Sequence, residues 1–407
     1  MPVPTKRKIA VVTTSRADYG HLYRTLKELQ TRPEINLQLI ALGAHFSPVF
    51  GNTFKEIEAD DFAIDERVEC LISSDTDVGM AKTIGVATLG LADVLGKMRP
   101  DILLLIADRY EMLAPAAVAL ALRIPIAHIE GGDVSEGAID DAVRNALTKM
   151  SHIHFTTTEN ARLRVLAMGE EAWRVHRVGS PSLDNLRRRQ LFSREELEAD
   201  LKIDLQQSTV VVAYHPVTIV RDTITEADAV FAALERLEQQ IIFCYPNADA
   251  GSHELIKRAE AFCQNRPNAH LFVNLNHLKY WSLLKHADLL VGNSSSGIME
   301  TASLALPTVN VGMRQKGRER AQNILDAAPE KDSILEMVNK GLSANFRQSL
   351  KGMTNPYGDG TASEKIVEIL CSVPLGEKLL IKREVPLENG KWRHNETAQT
   401  FEAGADL

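Results

Sequence analysis

A chain of 407 residues, 44% hydrophobic and 25% charged, is long enough for two ordinary domains with separate cores and has the composition of a globular protein. Its formal charge of -8, from 54 acidic against 46 basic residues, comes without a long Lys/Arg run. That pattern excludes a phosphate-tracking surface for nucleic acid and leaves room for a local anion site. Cys70, Cys244, Cys263 and Cys371 form no C-x-x-C pair, so neither a zinc site nor a disulfide framework is indicated and a reducing, cytoplasmic setting is expected. The longest apolar stretch, Met112 to Leu122, contains Pro115 and falls far short of the roughly 20 residues that span a bilayer, so no membrane attachment is expected.

The N-terminal segment MPVPTKRKIAVVTT has basic residues before an apolar run too short for a signal peptide, and it reads as a first strand. Further short apolar runs follow at Leu37 to Leu42, Ile102 to Ile106, Ile126 to Ile129 and Ile153 to Phe155, with amphipathic stretches between them. This is the rhythm of βαβ units and a parallel sheet. After Gly179-Ser180-Pro181-Ser182 comes a charged segment with Arg187, Arg188 and Arg189, then Ser193-Arg-Glu-Glu-Leu, a capping-box-like helix start that marks the connection between domains. A second series then begins: Val210 to Tyr214, Ile241 to Tyr245, Leu271 to Val273, Leu289 to Val291 and Thr308 to Val311, with a helix expected at Ala227 to Glu238. The expected architecture is α/β, two doubly wound, Rossmann-like domains. They are assigned to residues 1–185 and 205–372, with a polar and partly disordered tail over 373–407.

In open α/β sheets ligands bind beyond the carboxyl ends of the strands, so the polar residues that follow these runs are the candidates. In Leu289-Leu-Val-Gly-Asn-Ser-Ser-Ser-Gly-Ile-Met-Glu300 a strand enters a small-residue turn. Gly292 and Gly297 allow close approach, Ser294 and Ser295 can donate hydroxyl bonds, and Glu300 can accept them from a ribose; a capped turn with no ligand explains the segment equally well. His215 ends VVVAYHP and Asn247 follows IIFCYPN, on the same rim; Arg314 and Arg318 can neutralise a diphosphate or simply be solvated. In the first half the strand ends carry acids: Asp108 after ILLLIA and Glu130 after PIAHI, candidates for acid/base work. Asp140 and Asp141 precede Arg144 by four and three residues, where an ordinary helix salt bridge is the plainer reading of the arginine. Arg16 follows the first strand in Thr-Thr-Ser-Arg-Ala-Asp-Tyr-Gly, where a dinucleotide domain would show G-x-G-x-x-G, so NAD and FAD are not expected. His45 sits at another strand end, and packing explains it nearly as well. His152 and His154 lack the partners of a metal site.

Ser15-Arg-Ala-Asp-Tyr-Gly20, Asp108-Arg109-Tyr110, His128-Ile-Glu-Gly-Gly132, Thr148-Lys-Met-Ser151, His215-Pro-Val-Thr218, Gly292-Asn-Ser-Ser-Ser-Gly297 and Arg314-Gln-Lys-Gly-Arg318 together resemble the hydrolysing UDP-N-acetylglucosamine 2-epimerases of sialic acid synthesis, in order, from about residue 8 to about residue 370. The resemblance implies a glycosyltransferase-B-like pair of domains facing across a cleft, a C-terminal helix returning to the first domain, and a homodimer or homotetramer. It places Arg16, Asp108, Glu130, Asp140 and Asp141 at the reaction centre and His215, Asn247, Ser294, Ser295, Glu300 and Arg314 on the nucleotide. His45 is added to the substrate side from its strand-end position. Neither cofactor nor metal is implied. Ala107 stands where the motif leads one to expect Gly, and Asp133 where Glu is common.

The implied chemistry is elimination of UDP with loss of the C2 proton, giving a 2-acetamidoglucal, then addition of water with protonation at C2 from the other face. N-acetylmannosamine and UDP are the expected products. UDP-N,N'-diacetylbacillosamine is an alternative substrate, and a glycosyltransferase of the same architecture is an alternative activity.

Overall fold

The computed structural model describes residues 6–72, 76–136, 139–188, 190–215, 224–245, 252–273, 275–383, 387–388 and 391–392. Seven strands form the first sheet: β1 (Arg7–Thr13), β2 (Ile35–Leu42), β3 (Glu66–Val68), β4 (Ile102–Ile106), β5 (Ile126–Ile129), β6 (Ile153–Thr156) and β7 (Val175–Arg177), in the order β3-β2-β1-β4-β5-β6-β7. Six form the second: β8 (Thr209–Ala213), β9 (Gln240–Tyr245), β10 (Ala269–Val273), β11 (Leu289–Gly292), β12 (Thr308–Val311) and β13 (Ile324–Ala327), in the order β10-β9-β8-β11-β12-β13. Every pairing within these two sheets is parallel. A two-stranded antiparallel ribbon, Leu387–Glu388 with Lys391–Trp392, follows near the C-terminus.

Both sheets wind outward from a central strand in two directions, which is the Rossmann pattern. The inner strands are apolar on both faces because helices cover both faces: β4 reads Ile-Leu-Leu-Leu-Ile and is wholly buried. In the second sheet Val210, Val212, Ile241, Phe243 and Val291 pack into one layer, while Val211, Ala213, Ile242 and Leu290 pack into the other. All the strands expected from apolar runs are present. β3, β7 and β13, which the sequence does not announce, are three of the four sheet edges, β10 being the fourth. They are short and half-exposed, with the sequences Glu-Arg-Val, Val-His-Arg and Ile-Leu-Asp-Ala, as edge strands tend to be. The helix expected at 227–238 runs instead from Ile224 to Leu234. The capping box at Ser193 is present: its hydroxyl accepts from Glu196 N at 3.2 Å, and Glu196 Oε2 accepts from Ser193 N at 2.8 Å.

Two features differ from the expected division. The helix Ala362–Ser372 packs in the first core through Ile366, Val367 and Leu370, and Val373 and Leu379 follow it there, so a boundary at residue 372 separates residues that share one core. The onset of the tail is clasped as well: Arg174 donates to the carbonyls of Leu379 and Ile381, both at 2.8 Å. Of the expected disordered tail, residues 384–386, 389–390 and 393–407 lie outside the described residues. The helix Asp77–Met98 is long and apolar enough to cross a membrane by length and composition, which the sequence reading missed. It uses Thr83, Ala87, Leu91 and Leu95 to pack on the first domain.

The chain leaves β4 and β5 through sharp left-handed turns. Ala107 has φ 58° and Glu130 has φ 68°, conformations that cost a residue with a β-carbon roughly 1–2 kcal/mol. Ala107 is held there from both sides: its N–H donates to Ile129 O at 2.9 Å and its carbonyl accepts from His128 Nε2 at 2.8 Å. Glycine at 107 would remove the strain but would also widen the unfolded ensemble by about 0.4–1 kcal/mol. Ala107→Gly is therefore expected to leave stability unchanged or raise it by up to about 1 kcal/mol, whereas Ala92→Gly on the exposed face of the helix Asp77–Met98 loses about 1 kcal/mol; urea denaturation of the two variants checks the opposite signs.

Candidate active site

The carboxyl ends of the two sheets face each other, and the loops that leave the central strands meet in one cleft of about 320 Å³. From the first sheet come Ser15 and Arg16 after β1 and Asp108 and Arg109 after β4, flanking the point where the strand order reverses. From the second come His215 after β8 and Ser294, Ser295 and Ser296 after β11, flanking the corresponding point. Glu300, Arg314 and Asp140 complete the polar wall. The other end is apolar, with Cys244, Phe272, Leu275 and Trp281. An inner chamber of about 140 Å³ shares Asp108, Asp140, Ser295 and Arg314 with the cleft and adds Glu130, Ser135, Met299 and Arg318.

Each wall has a rigid origin. The Ser15-Arg-Ala-Asp motif folds on Asp18, whose carboxylate accepts from the amides of Thr14 at 2.7 Å and Ser15 at 2.8 Å; this sets Arg16 at the mouth of α1 (Arg16–Thr31). Asp108 forms an ion pair with Arg144, a guanidinium with almost no exposed surface that also donates to Asp133 O at 2.9 Å. Arg109 is gripped by the fully buried Glu111 through two bonds, 2.9 and 3.2 Å. On the opposite side Asn293 clamps the end of β8: its Oδ1 accepts from His215 N at 2.7 Å and its Nδ2 donates to His215 O at 2.8 Å. The Asn293 carbonyl accepts from Arg314 and Gln315, at 3.1 and 2.8 Å. Gly292 is required between strand and turn, since a β-carbon there would lie 2.1 Å from Ala213 O at φ 150°. Glu300 is 4% exposed and its Oε2 has no partner among the described residues, an acceptor held ready for a hydroxyl.

The two halves touch around the cleft. Arg318 donates to Val134 O at 3.0 Å and Ser135 Oγ at 3.2 Å, and Arg164 donates to Gly317 O at 3.3 Å. Gly20 lies against His277, where a β-carbon would meet the imidazole at 2.3 Å.

Of the residues singled out from the sequence, Arg16, Asp108, Asp140, His215, Ser294, Ser295, Glu300 and Arg314 line the cleft, and Glu130 lines its inner chamber. Two are placed elsewhere. His45 is fully buried between Thr13 Oγ1 at 2.9 Å and Thr53 Oγ1 at 2.8 Å; burial pushes its pKa to about 4, so it is a neutral strut behind the wall. Asp141 turns away to accept from Ser135 N at 2.9 Å and Asn145 Nδ2 at 3.2 Å, and it shapes the loop above the inner chamber. Asn247 lies outside the described residues. Arg318, a candidate for the diphosphate, donates to Val134 O and Ser135 Oγ of the first domain and to Met299 Sδ of the second.

Three contributors carry no assignment from the sequence. Arg144 reads as a helix salt bridge to Asp140 or Asp141, yet Asp141 is 3.8 Å away and the ion pair with Asp108 is closer than that. Ser180 donates to Glu130 Oε1 at 3.1 Å, and His21 Nδ1 lies 3.2 Å from the same oxygen. Only the position of His21, one helical turn beyond Ala17 on a helix that opens at a strand end, hinted at its direction.

The cleft electrostatics follow from these contacts. Burial disfavours a charged His21, but the Glu130 carboxylate outweighs it, with Glu300 and Asp18 adding to the effect, and raises the imidazole to about 9. Burial likewise opposes charge on Glu130, and His21, Arg318 and Ser180 overcome it and hold the carboxyl below its ordinary range. Asp133, buried behind them and repelled by Glu130, is pushed up to about 6 against the pull of Arg318 and the Thr157 bond.

A parallel-sheet pair with this cleft defines the glycosyltransferase-B-like fold. Solved structures share it: the UDP-N-acetylglucosamine 2-epimerase from Neisseria meningitidis bound to UDP-GlcNAc superposes with TM-score 0.77 over 89% of this chain and 99% of that one at 19% identity. The profile of the family described as UDP-N-acetylglucosamine 2-epimerase matches residues 27–371. The chain is 37% identical to the GDP/UDP-N,N'-diacetylbacillosamine 2-epimerase (hydrolyzing) of Campylobacter jejuni, covering 85% of this chain and 90% of that one. It is 36% identical to the UDP-N,N'-diacetylbacillosamine 2-epimerase (hydrolyzing) of Legionella pneumophila, covering 92% and 98%, and 30% identical to the UDP-N-acetylglucosamine 2-epimerase of Neisseria meningitidis, covering 89% and 95%. This chain belongs to the UDP-N-acetylglucosamine 2-epimerase family, and its resemblance to hydrolysing members holds along nearly the whole sequence.

Removing one member of a buried ion pair strands the other charge, at a cost of about 3–5 kcal/mol. Arg144→Met is expected to lower the unfolding free energy by about that amount in urea and to abolish turnover, whereas Asp108→Asn abolishes turnover at a smaller stability cost, because the asparagine amide oxygen still accepts from Arg144, which also keeps its bond to Asp133 O.

Proposed function

We propose that this enzyme converts a UDP-linked 2-acetamido-2-deoxyhexose and water to UDP and the free C2 epimer. The observation that carries the reading is the meeting in one cleft of acids from the first sheet, Asp108, Glu130 and Asp140, with Arg314, His215, Ser294 and Ser295 from the second. Breaking the C1–O bond puts charge on the diphosphate, which Arg16, Arg314 and the serine hydroxyls are placed to stabilise, while Glu300 takes a ribose hydroxyl. Loss of the C2 proton gives the 2-acetamidoglucal; hydration with C2 protonation from the opposite face completes the inversion. Proton transfer by a positioned carboxylate contributes about 10²- to 10⁴-fold, so Asp108, Glu130 and Asp140 carry the rate and the second sheet carries the affinity.

Of the two sugars that fit the sequence, UDP-N,N'-diacetylbacillosamine is favoured, because the 37% and 36% identical relatives are named for it and the relative named for UDP-N-acetylglucosamine is 30% identical. UDP-N-acetylglucosamine, giving N-acetylmannosamine for sialic acid synthesis, is the second reading. The cysteines, all free thiols, fit a reducing cytoplasm. Each sugar nucleotide is incubated alone in heavy water: UDP release with one deuterium at C2 of the product is the expected outcome, fastest with the diacetylated sugar. Inertness until an acceptor is supplied identifies a glycosyltransferase instead.

The helix Asp77–Met98 leaves Val78, Val86 and Leu89 on one face, the last 76% exposed, and a second copy of this chain is the occupant proposed for it in a homodimer. Light scattering is expected to give a dimer for the intact chain and a monomer for Leu89→Glu, and a monomeric intact chain refutes this interface.

A further inference from the structure

We infer that His21 is a positioning residue for Glu130: resting on the 2-epimerase reading above, its Nδ1–H joins the Ser180 hydroxyl in holding Glu130 ionised, so that Glu130 is the base that removes the C2 proton. Both side-chain bonds fall on Oε1, from His21 at 3.2 Å and Ser180 at 3.1 Å. Oε2 has no partner among the described residues and is not among their fully buried unpaired atoms, so it opens to the inner chamber that Glu130 lines. His21 borders both the cleft and the inner chamber, so its place is at the reacting groups and not in a core.

The charges around the pair agree with this assignment. His21 faces Glu130 at the end of β5, Glu300 from the second sheet and Asp18 on its own helix, all acids. Glu130 faces His21 and Arg318, with Asp133 and the neutral His128 behind it. The raised imidazole and the lowered carboxyl mean that the pair is an imidazolium–carboxylate pair at neutral pH, and Glu130 then acts as a base from the outset. In the elimination Oε2 takes the C2 proton, the C2–H electron pair forms the C1=C2 bond, and the C1–O pair departs with UDP. His21 keeps its proton throughout and stays hydrogen-bonded to the neutral acid.

Ser180 ties the base to the join between the domains. Its N–H donates to Tyr357 O at 2.7 Å, and Gly179 packs so closely on this returning segment that a β-carbon would lie 3.0 Å from the same carbonyl. The segment leaving the first sheet and the segment coming back to it are pinned together at the residue that shares the Glu130 carboxylate with His21.

The test has two arms on the full-length protein. In the first, the His21 ring is titrated by NMR in the absence of ligand: an imidazolium at pH 8 is expected, with Glu130→Gln lowering its midpoint by about two units, and a neutral ring at pH 7.5 in the intact protein overturns the assignment. In the second, kcat/KM is followed against pH. His21→Gln is expected to move the acidic limb up by about one unit or more and to lower kcat at pH 7 by about 10²-fold, with UDP affinity unchanged and the limb restored by His21→Lys. An unmoved limb in a folded, UDP-binding His21→Gln protein overturns it. Should the intact enzyme turn over neither sugar nucleotide, the 2-epimerase reading fails, and the ring titration still decides whether His21 and Glu130 are a charged pair.

Discussion

The guanidinium of Arg318 reaches from the rim of the second sheet to the backbone and side chain of Val134 and Ser135 in the first, and the cleft depends on that crossing. Lys316 pairs with Glu136 at 3.3 Å and Gly317 lies against Val134 in the same loop, so residues 314–318 are fixed to the loop that follows Glu130. Arg314, four residues earlier on this anchored loop, is thereby set over the chamber that holds the acids. Arg318 also helps keep Glu130 ionised. One side chain therefore joins the halves and adds to the attraction that holds Glu130 ionised, and a lysine, with its single point of charge, would not reproduce the forked contact.

The inner strands are legible in the sequence because a parallel strand covered on both faces must be a continuous apolar run, and Ile-Leu-Leu-Leu-Ile admits little else. The strand ends are legible for the same reason: once such a run stops, Asp108, Glu130, His215 and the Ser294 turn stand at a rim where loops of both sheets meet. What sequence spacing cannot show is direction. Asp140 and Asp141 are adjacent on a helix and about 100° apart around it, and only one of the two enters the cleft. Arg144 lies within reach of Asp141 in sequence and pairs more closely with Asp108 in space, 36 residues away. His45 sits at a strand end like His215, yet two threonine hydroxyls satisfy its ring inside the wall.

Expectation and structure also meet at Ala107. The glycine expected before Asp108 corresponds to a left-handed turn, and the chain makes that turn with alanine. The cost is tolerated because β5 holds both backbone polar groups of the residue, and the turn aims the Asp108 carboxylate across the strand end toward Arg144. Glu130 adopts the same conformation one strand over. Left-handed residues with β-carbons are rare and gather where surrounding contacts over-determine the backbone, and here the two strand-end turns nearest the acids both have them.

A cleft built to take an anionic nucleotide faces a conflict, since every carboxylate it offers as a base repels the diphosphate it must bind. Two remedies are available: protonate the acids, which destroys their basicity, or bury cations behind them. This chain uses the second. Arg144 stands behind Asp108, and His21 and Arg318 stand beside Glu130, while Arg16 and Arg314 remain on the cleft wall. In a partly buried site with an effective dielectric near 20, a unit charge at about 4 Å is worth roughly 4 kcal/mol, enough to keep a desolvated carboxylate ionised. Asp133, as buried as Glu130, has the Thr157 bond and the more distant pull of Arg318 but no cation hydrogen-bonded to its carboxylate among the described contacts, and its pKa rises to about 6. A buried cation beside an acid thus sets whether that acid stays ionised here, and Arg144 at Asp108 and His21 at Glu130 supply one to two of the acids that line the chamber.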